Sequence, residues 1–192
     1  MASTRDKLLS AATDLLDHAG PEGVTLRAVG AAAGVSHNAP YKHFPDKEAL
    51  LAAVAAKELQ ALDASMRHIA ADTSNPLDRL RAVAREHIAW ATQCPRRFRL
   101  VFGSWSRHDD GLHVAATAAR QTLLDAVVFA QHSDAIRSAE PEQVAALLMA
   151  TAHGAVDMYL SGHLASDGKG QSTPEALLEE LIDLLRCESR ID

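Results

Sequence analysis

The stretch GVSHNAPYKHFPDKEAL, residues 34–50, decides how the rest of the chain is read. A Gly and then a Ser open what the pattern predicts to be a very short helix, with Ser36 as its cap. Yet Pro40 falls inside that helix, and Pro45 closes it. A proline in a helix interior removes a hydrogen bond and collides with the preceding turn, at about 3 kcal/mol. Pro40 comes four residues after the expected cap, so it forfeits only the bond to the Ser36 carbonyl, which a tight 3₁₀ turn absorbs. Phe44, ahead of Pro45, is pushed out of the helical region; the chain turns there, and Asp46 caps the next helix.

Upstream, residues 4–19 set Leu8, Ala12, Leu15, Leu16 and Ala19 on one face at 3.6-residue spacing, and Gly20 with Pro21 ends that helix. GVTLRAVGAAAGVS, residues 23–36, comes next. Thr25 is a good N-cap, Val24 and Val29 are spaced as a hydrophobic staple, and Gly34 supplies a positive-φ stop. Two short helices joined by a Gly-containing turn behind a longer one make a helix-turn-helix. A recognition helix need project only its first turn and a half into a major groove, which suits so short an element.

Downstream, DKEALLAAVAAKELQALDASMRHIAADTS carries Ala55, Leu59, Leu62, Met66 and Ile69 on one stripe. A helix of about 25 residues there spans nearly 40 Å at about 1.5 Å each, and acts as the lever from the head to the C-terminal helices. Asn75-Pro76 restarts a helix, Pro95 opens a short one, and GSWSRHDDGLH is the best loop of the middle region. Helices over 112–132 and 141–163, the flexible loop ASDGKGQST and a last helix from Thr173-Pro174 complete the pattern. The prediction is an all-α chain of about nine helices: a helix-turn-helix head over residues 1–47, and a helical-bundle ligand and dimerisation domain over 48–192.

Composition agrees. Of 192 residues, 47% are hydrophobic and 23% charged, which excludes disordered and collagen-like classes. Aromatics are 4% and β-branched runs are missing, which favours helix. Cys94 and Cys187 form no disulfide framework and fit a reducing cytoplasm. No apolar leader or 18-residue apolar run argues for secretion or membrane spanning. Net charge is −6, and the first 50 residues hold five Lys/Arg against six Asp/Glu, so any positive surface that meets DNA is local.

TLRAVGAAAGVSHNAPYKHFPDKEALLAAV, residues 25–54, resembles the N-terminal module of the tetracycline-repressor (TetR) family of one-component bacterial regulators. The resemblance runs over residues 5–54, with about fifteen positions in register. It departs at Gly30, where Ala is usual. It implies a dimeric regulator, more often a repressor, that binds a palindromic duplex operator and answers to a small-molecule inducer. By chemistry, His37, Asn38 and Lys42 suit base edges or nearby phosphates, Asn pairing with adenine and Lys with guanine. Ala39 and Pro40 are placed for thymine methyl groups. Thr25, Tyr41, His43 and Lys47 resemble the family's phosphate contacts; Arg27 fits the same role, and Ser36 opens the turn. Phe44, Val29, Val35 and Leu26 read as core.

Residues 144–160 are apolar nearly all round, and the last helix has a wide leucine face. Helices apolar on two sides bury both, which a four-helix interface between two subunits satisfies. Val144, Leu148, Val156, Leu178, Leu181, Ile182 and Leu185 are the expected interface residues. Trp90, Phe98, Phe102 and Trp105 are half of the eight aromatics, gathered in sixteen residues. Apolar, aromatic-lined pockets are the usual small-molecule sites. The expected pocket comprises these four with Leu62, Met66, His87, Met149, His153 and Tyr159. MATAHGAVDMYL also resembles a subgroup with a Trp-His-Gly motif: His153 and Gly154 match, but Met149 stands where that subgroup has Trp.

Enzymatic readings are weaker. His108, Asp109, Asp110 and His113 are chemically apt for a metal but lie in ordinary turn chemistry. His153 and Asp157, one helical turn apart, fit a satisfied histidine better than a ligand pair, and no nucleophile elbow surrounds Ser104. No catalytic residue, metal or cofactor is assigned. The alternative function is a helical protein-interaction module retaining a helix-turn-helix without ligand control.

Overall fold

The computed structural model describes residues 2–164 and 170–187. Residues 165–169 of the expected loop ASDGKGQST lie outside the described residues. Among those described, the chain forms nine helices: α1 (Thr4–Gly23), α2 (Leu26–Ala32), α3 (Ala39–His43), α4 (Lys47–Asp72), α5 (Pro76–Gln93), α6 (Pro95–Val101), α7 (Asp110–His132), α8 (Pro141–Leu160) and α9 (Pro174–Leu185). No strand occurs among them, only an isolated antiparallel bridge between Ile136 and Arg186. The all-α expectation holds.

The chain divides into two compact units. Residues 1–61 and 94–117 form the first, so the head takes in α6 and the start of α7 as well as α1 to α3 and the first turns of α4. Residues 62–93 and 118–192 form the second.

In the first unit, α1 starts with a capping box. The Ser3 hydroxyl oxygen accepts the Asp6 N–H, and the Asp6 carboxylate accepts the Ser3 N–H, each at 3.1 Å. Gly20, at φ +71°, breaks α1 before Pro21, a backbone conformation that favours glycine. Thr25 caps α2 by accepting the Ala28 N–H at 3.1 Å, and Gly34 at φ +65° closes it. Leu8, Leu16, Val24, Val29, Phe44, Leu50 and Val54 fill the core between α1, α2 and α4, with Val35, Leu100 and Trp105 packed partly buried against it. Leu26, Val29 and Phe44 are buried as expected, and Val35 is half-buried.

The structure corrects the start of α3. Residues 36–38 form a turn, with the Ala39 N–H donating to the Ser36 carbonyl at 2.9 Å, and α3 begins only at Ala39. Pro40 is therefore in the first turn, where its missing N–H has no intrahelical partner to lose. The interior-proline penalty does not arise. Asp46 caps α4 through the Ala49 N–H at 2.9 Å, as expected. That N–H, ahead of Arg107, holds the Asp46 carboxyl below its ordinary range.

Arg97 on α6 fixes the first unit further. Its guanidinium grips the Asp17 carboxylate of α1 through Nε at 3.0 and 3.1 Å and Nη2 at 2.5 Å, and reaches Glu58 of α4 at 3.1 Å. In the second unit α5, α8 and α9 pack together around Leu80, Ile88, Leu148, Val156, Leu178 and Ile182. Arg81 and Arg85 of α5 clasp Glu179 of α9 at 2.9 and 2.6 Å, and Arg81 also meets Asp183 at 2.5 Å. Buried Asp63 accepts a 2.6 Å bond from the Thr122 hydroxyl, which ties α4 to α7 within this unit.

Candidate nucleic-acid interface

The residues assigned to DNA lie in the first unit, between the start of α2 and the start of α4. Thr25 and Arg27 open α2 and are exposed. Ser36, His37 and Asn38 form the exposed turn, so these polar side chains project from a loop held at both ends by helices. Tyr41, 50% exposed, stands one turn beyond His37 with ring centroids 6.1 Å apart, and Lys42 and His43 are exposed beside it. Ala39 is half-buried.

Pro40 departs from expectation. It is buried, and its ring presses on α2 where Gly30 stands: a Cβ built on Gly30 would lie 2.8 Å from Pro40 Cγ. Pro40 is thus a packing residue and not a surface for thymine methyl groups. The same contact explains why Gly stands where Ala is usual.

Lys47 is the first residue of α4, half-buried, with Nζ 3.8 Å from exposed Glu22. Two carboxylates flank it, Asp46 and Glu48, an awkward setting for a phosphate. Arg107, which sequence reasoning missed, compensates both. Its Nη2 donates to the two Asp46 oxygens at 2.9 and 2.8 Å, and its Nε lies 3.6 Å from Glu48. Ser106 donates its N–H and hydroxyl to Glu48 at 2.9 and 2.6 Å. The Ser106 hydroxyl is the main reason the Glu48 carboxyl lies below its ordinary range. About sixty residues separate these partners, so no local pattern announced them.

The loop weighed for a metal serves structure instead. Asp109 accepts the Leu112 N–H at 2.8 Å and caps α7; His108 meets Asp110 at 3.1 Å. Among the described residues no group of three His, Cys, Asp or Glu is placed to hold a metal.

The expected effector residues divide between the units: Phe98, Phe102 and Trp105 in the first, and Leu62, Met66, His87, Trp90, Met149, His153 and Tyr159 in the second. The single aromatic cluster read from spacing is therefore not a feature of one compact unit. Phe98 is buried with Phe102 5.3 Å away, Phe102 is exposed, and Trp105 packs on the head core. In the second unit, His87 and His153 stack at 5.2 Å with their Nε2 atoms 3.2 Å apart, and the Trp90 ring lies 6.0 Å from His87. Burial, with the neighbouring His153, pushes His87 down to about 3; burial also lowers His153 against the pull of Asp157. The pair therefore consists of two neutral imidazoles, one donating to the other. Leu62 and Met66 are buried, Met149 is half-buried, and Tyr159 is exposed on α8.

The expected interface set is also corrected. Val144, Leu148, Val156, Leu178, Ile182 and Leu185 are all buried within the chain's own second unit, and Leu181 is half-buried. The outward faces carry other residues: Leu147, Ala150, Gly154 and Met158 on α8, and Leu184 on α9 with half-buried Leu177 and Leu181.

Residues 8–54 match the family described as bacterial regulatory proteins, tetR family, and residues 80–185 match the tetracyclin repressor-like C-terminal domain. The chain belongs to the TetR family. As a TetR-family protein it is a DNA-binding transcriptional regulator and not an enzyme. No curated protein matches it. A solved protein of unknown function from Rhodococcus sp. RHA1 is similar over 96% of this chain and 94% of its own, at 27% identity and TM-score 0.83. The fatty acid degradation regulator FadR from Bacillus halodurans shares the fold over 99% and 98%, at 13% identity and TM-score 0.73. AibR, solved with isovaleryl coenzyme A and operator DNA, shares it over 95% and 98%, at 20% identity and TM-score 0.67. No helix among the described residues of this TetR-family chain is long and apolar enough to cross a membrane.

Proposed function

We propose that the chain is a cytoplasmic, ligand-responsive repressor that binds a palindromic operator as a homodimer. The observation that carries the reading is the outward stripe of Leu147, Ala150, Gly154 and Met158 on α8 beside Leu177, Leu181 and Leu184 on α9. Large apolar side chains at helical spacing, left in water, favour a self-complementary contact, and small Ala150 and Gly154 let two helices approach closely. A two-fold dimer presents two heads, so its operator carries two half-sites about one DNA turn apart, roughly 34–36 Å.

At each half-site His37, Asn38 and Lys42 read base edges, Ala39 lies against them, and Thr25, Arg27, Ser36, Tyr41, His43 and Lys47 hold phosphates. The small-molecule inducer is supported by the C-terminal domain match and by AibR, which binds isovaleryl coenzyme A as well as DNA. His87 and His153 are the polar groups suited to orient such a ligand. Footprinting on the DNA flanking the coding region tests the reading. A protected dyad, with a dimer by sedimentation, is expected; protection without two-fold symmetry, or a monomer at micromolar concentration, would sink it.

A further inference from the structure

A concave region lies wholly within the first unit. A hollow of about 690 Å³ opens beside the start of α4, α6 and the loop after it, a volume usual for small-molecule sites. Lys47, Arg96 and Arg99 line it together with apolar Leu51, Leu100 and Trp105. The lone carboxylate in the lining, Glu48, is already taken by Ser106 and Arg107. Arg96 is oriented by donating to the Asp17 carbonyl oxygen, and Arg99 has no carboxylate partner among the described residues. In a chain of net charge −6, three lining cations outnumber the engaged Glu48 and the exposed Glu22 3.8 Å from Lys47, which makes a local positive site.

The lining selects a class of ligand. Guanidinium groups match carboxylate, sulfonate and phosphate oxygens in paired geometry. The Leu51, Leu100 and Trp105 surfaces give a bare inorganic ion nothing to do, and a neutral apolar molecule leaves the cations unused. We propose that this hollow binds an amphipathic organic anion, whose occupancy competes with DNA for Lys47. The competition rests on the reading of Lys47 as a phosphate contact; the site itself does not. Release from DNA by this route is direct displacement at the head.

The probe is 1-anilinonaphthalene-8-sulfonate, an apolar body with one anionic group. Trp90 and Trp105 are the chain's two tryptophans, so in the full-length Trp90→Phe variant Trp105 alone reports. Energy transfer from Trp105 to the bound probe is expected in Trp90→Phe. Combined Arg96→Ala and Arg99→Ala should raise the probe's Kd at least tenfold, while binding of uncharged N-phenyl-1-naphthylamine stays within about twofold. Saturating duplex DNA at low salt should displace the probe. Absence of transfer from Trp105 in Trp90→Phe, or an unchanged Kd in the double Ala variant, overturns the site. Loss of DNA affinity with undiminished probe binding in that variant makes the cluster a DNA surface and likewise overturns it. Wild-type chain that holds DNA and probe together overturns the competition. Lys47→Ala, measured on DNA without probe, shows separately whether the phosphate reading of Lys47 stands.

Discussion

Gly30 and Pro40 show how one missing methyl group sets the geometry of the reading head. An Ala at position 30 would gain about 1 kcal/mol of helix propensity. Against that, its Cβ would meet the Pro40 ring at 2.8 Å, and the ring has little freedom to retreat. Overpacking of this kind costs about 1–3 kcal/mol, so Gly30→Ala should be neutral to destabilising by up to about 2 kcal/mol. Paired with Pro40→Ala it should become stabilising relative to Pro40→Ala alone. Urea midpoints of the four proteins close the cycle, and additive effects would show that the contact carries no energy. His87 makes a pH-dependent contribution that comes from burial and not from an ion pair. Its folded value of about 3 lies below the ordinary 6.5, so the unfolded chain binds the proton that the folded one refuses. Stability is complete above about pH 6.5 and falls as pH drops from there toward 3, by about 1.4 kcal/mol per unit once below the unfolded value. Between pH 7 and 5 the loss is about 2 kcal/mol. His87→Leu should flatten that slope in paired denaturation curves, even if it lowers stability at neutral pH; an unchanged slope would remove His87 as its source.

At the scale of elements, the legible boundaries are those marked by punctuation. Gly34, Thr25, Asp46, Pro76 and Thr173-Pro174 each mark a boundary by a local physical requirement, and the structure places helix ends beside all of them, while Gly20 breaks α1 three residues before its end at Gly23. Ser36 misled because Ser, Asn and Gly compete as caps within five residues, and the turn over residues 36–38 leaves Pro40, packed on Gly30, in the first turn of α3. The interface was misread for a different reason. On a helix apolar nearly all round, periodicity cannot tell which side faces its own core; packing of α5 and α9 against α8 decides it. Leu184 and Leu185 are neighbours in sequence but opposites in place, 67% and 2% exposed. Leu184→Glu should therefore leave the circular dichroism spectrum and thermal midpoint nearly intact while splitting the dimer at micromolar concentration. Leu185→Glu should unfold the second unit, because it buries an unpaired charge. If Leu184→Glu remains dimeric by sedimentation, α9 is not in the interface.

For the whole molecule the governing fact is that an acidic chain must meet a polyanion. Its net charge of −6 repels DNA at long range, so affinity falls to a few cations on one face of the head, and their effect is local and strongly salt-dependent. Lys47 stands between Asp46 and Glu48, and Arg107 offsets both carboxylates through contacts no local sequence pattern could reveal. Three variants separate the roles. Lys47→Ala should weaken binding to every duplex alike and reduce the slope of log Kd against log salt by about one. Arg107→Ala should also weaken binding without regard to sequence, because Asp46 and Glu48 then face the phosphates uncompensated. Asn38→Ala, on the exposed turn, should leave the salt slope in place and relax discrimination at one or two base pairs, each worth about 1–3 kcal/mol. Titrations of operator and of single-base variants at several salt concentrations resolve these outcomes. Uniform loss of affinity in Asn38→Ala, with an altered salt slope, would place Asn38 among the phosphate contacts and leave base reading to His37 and Lys42.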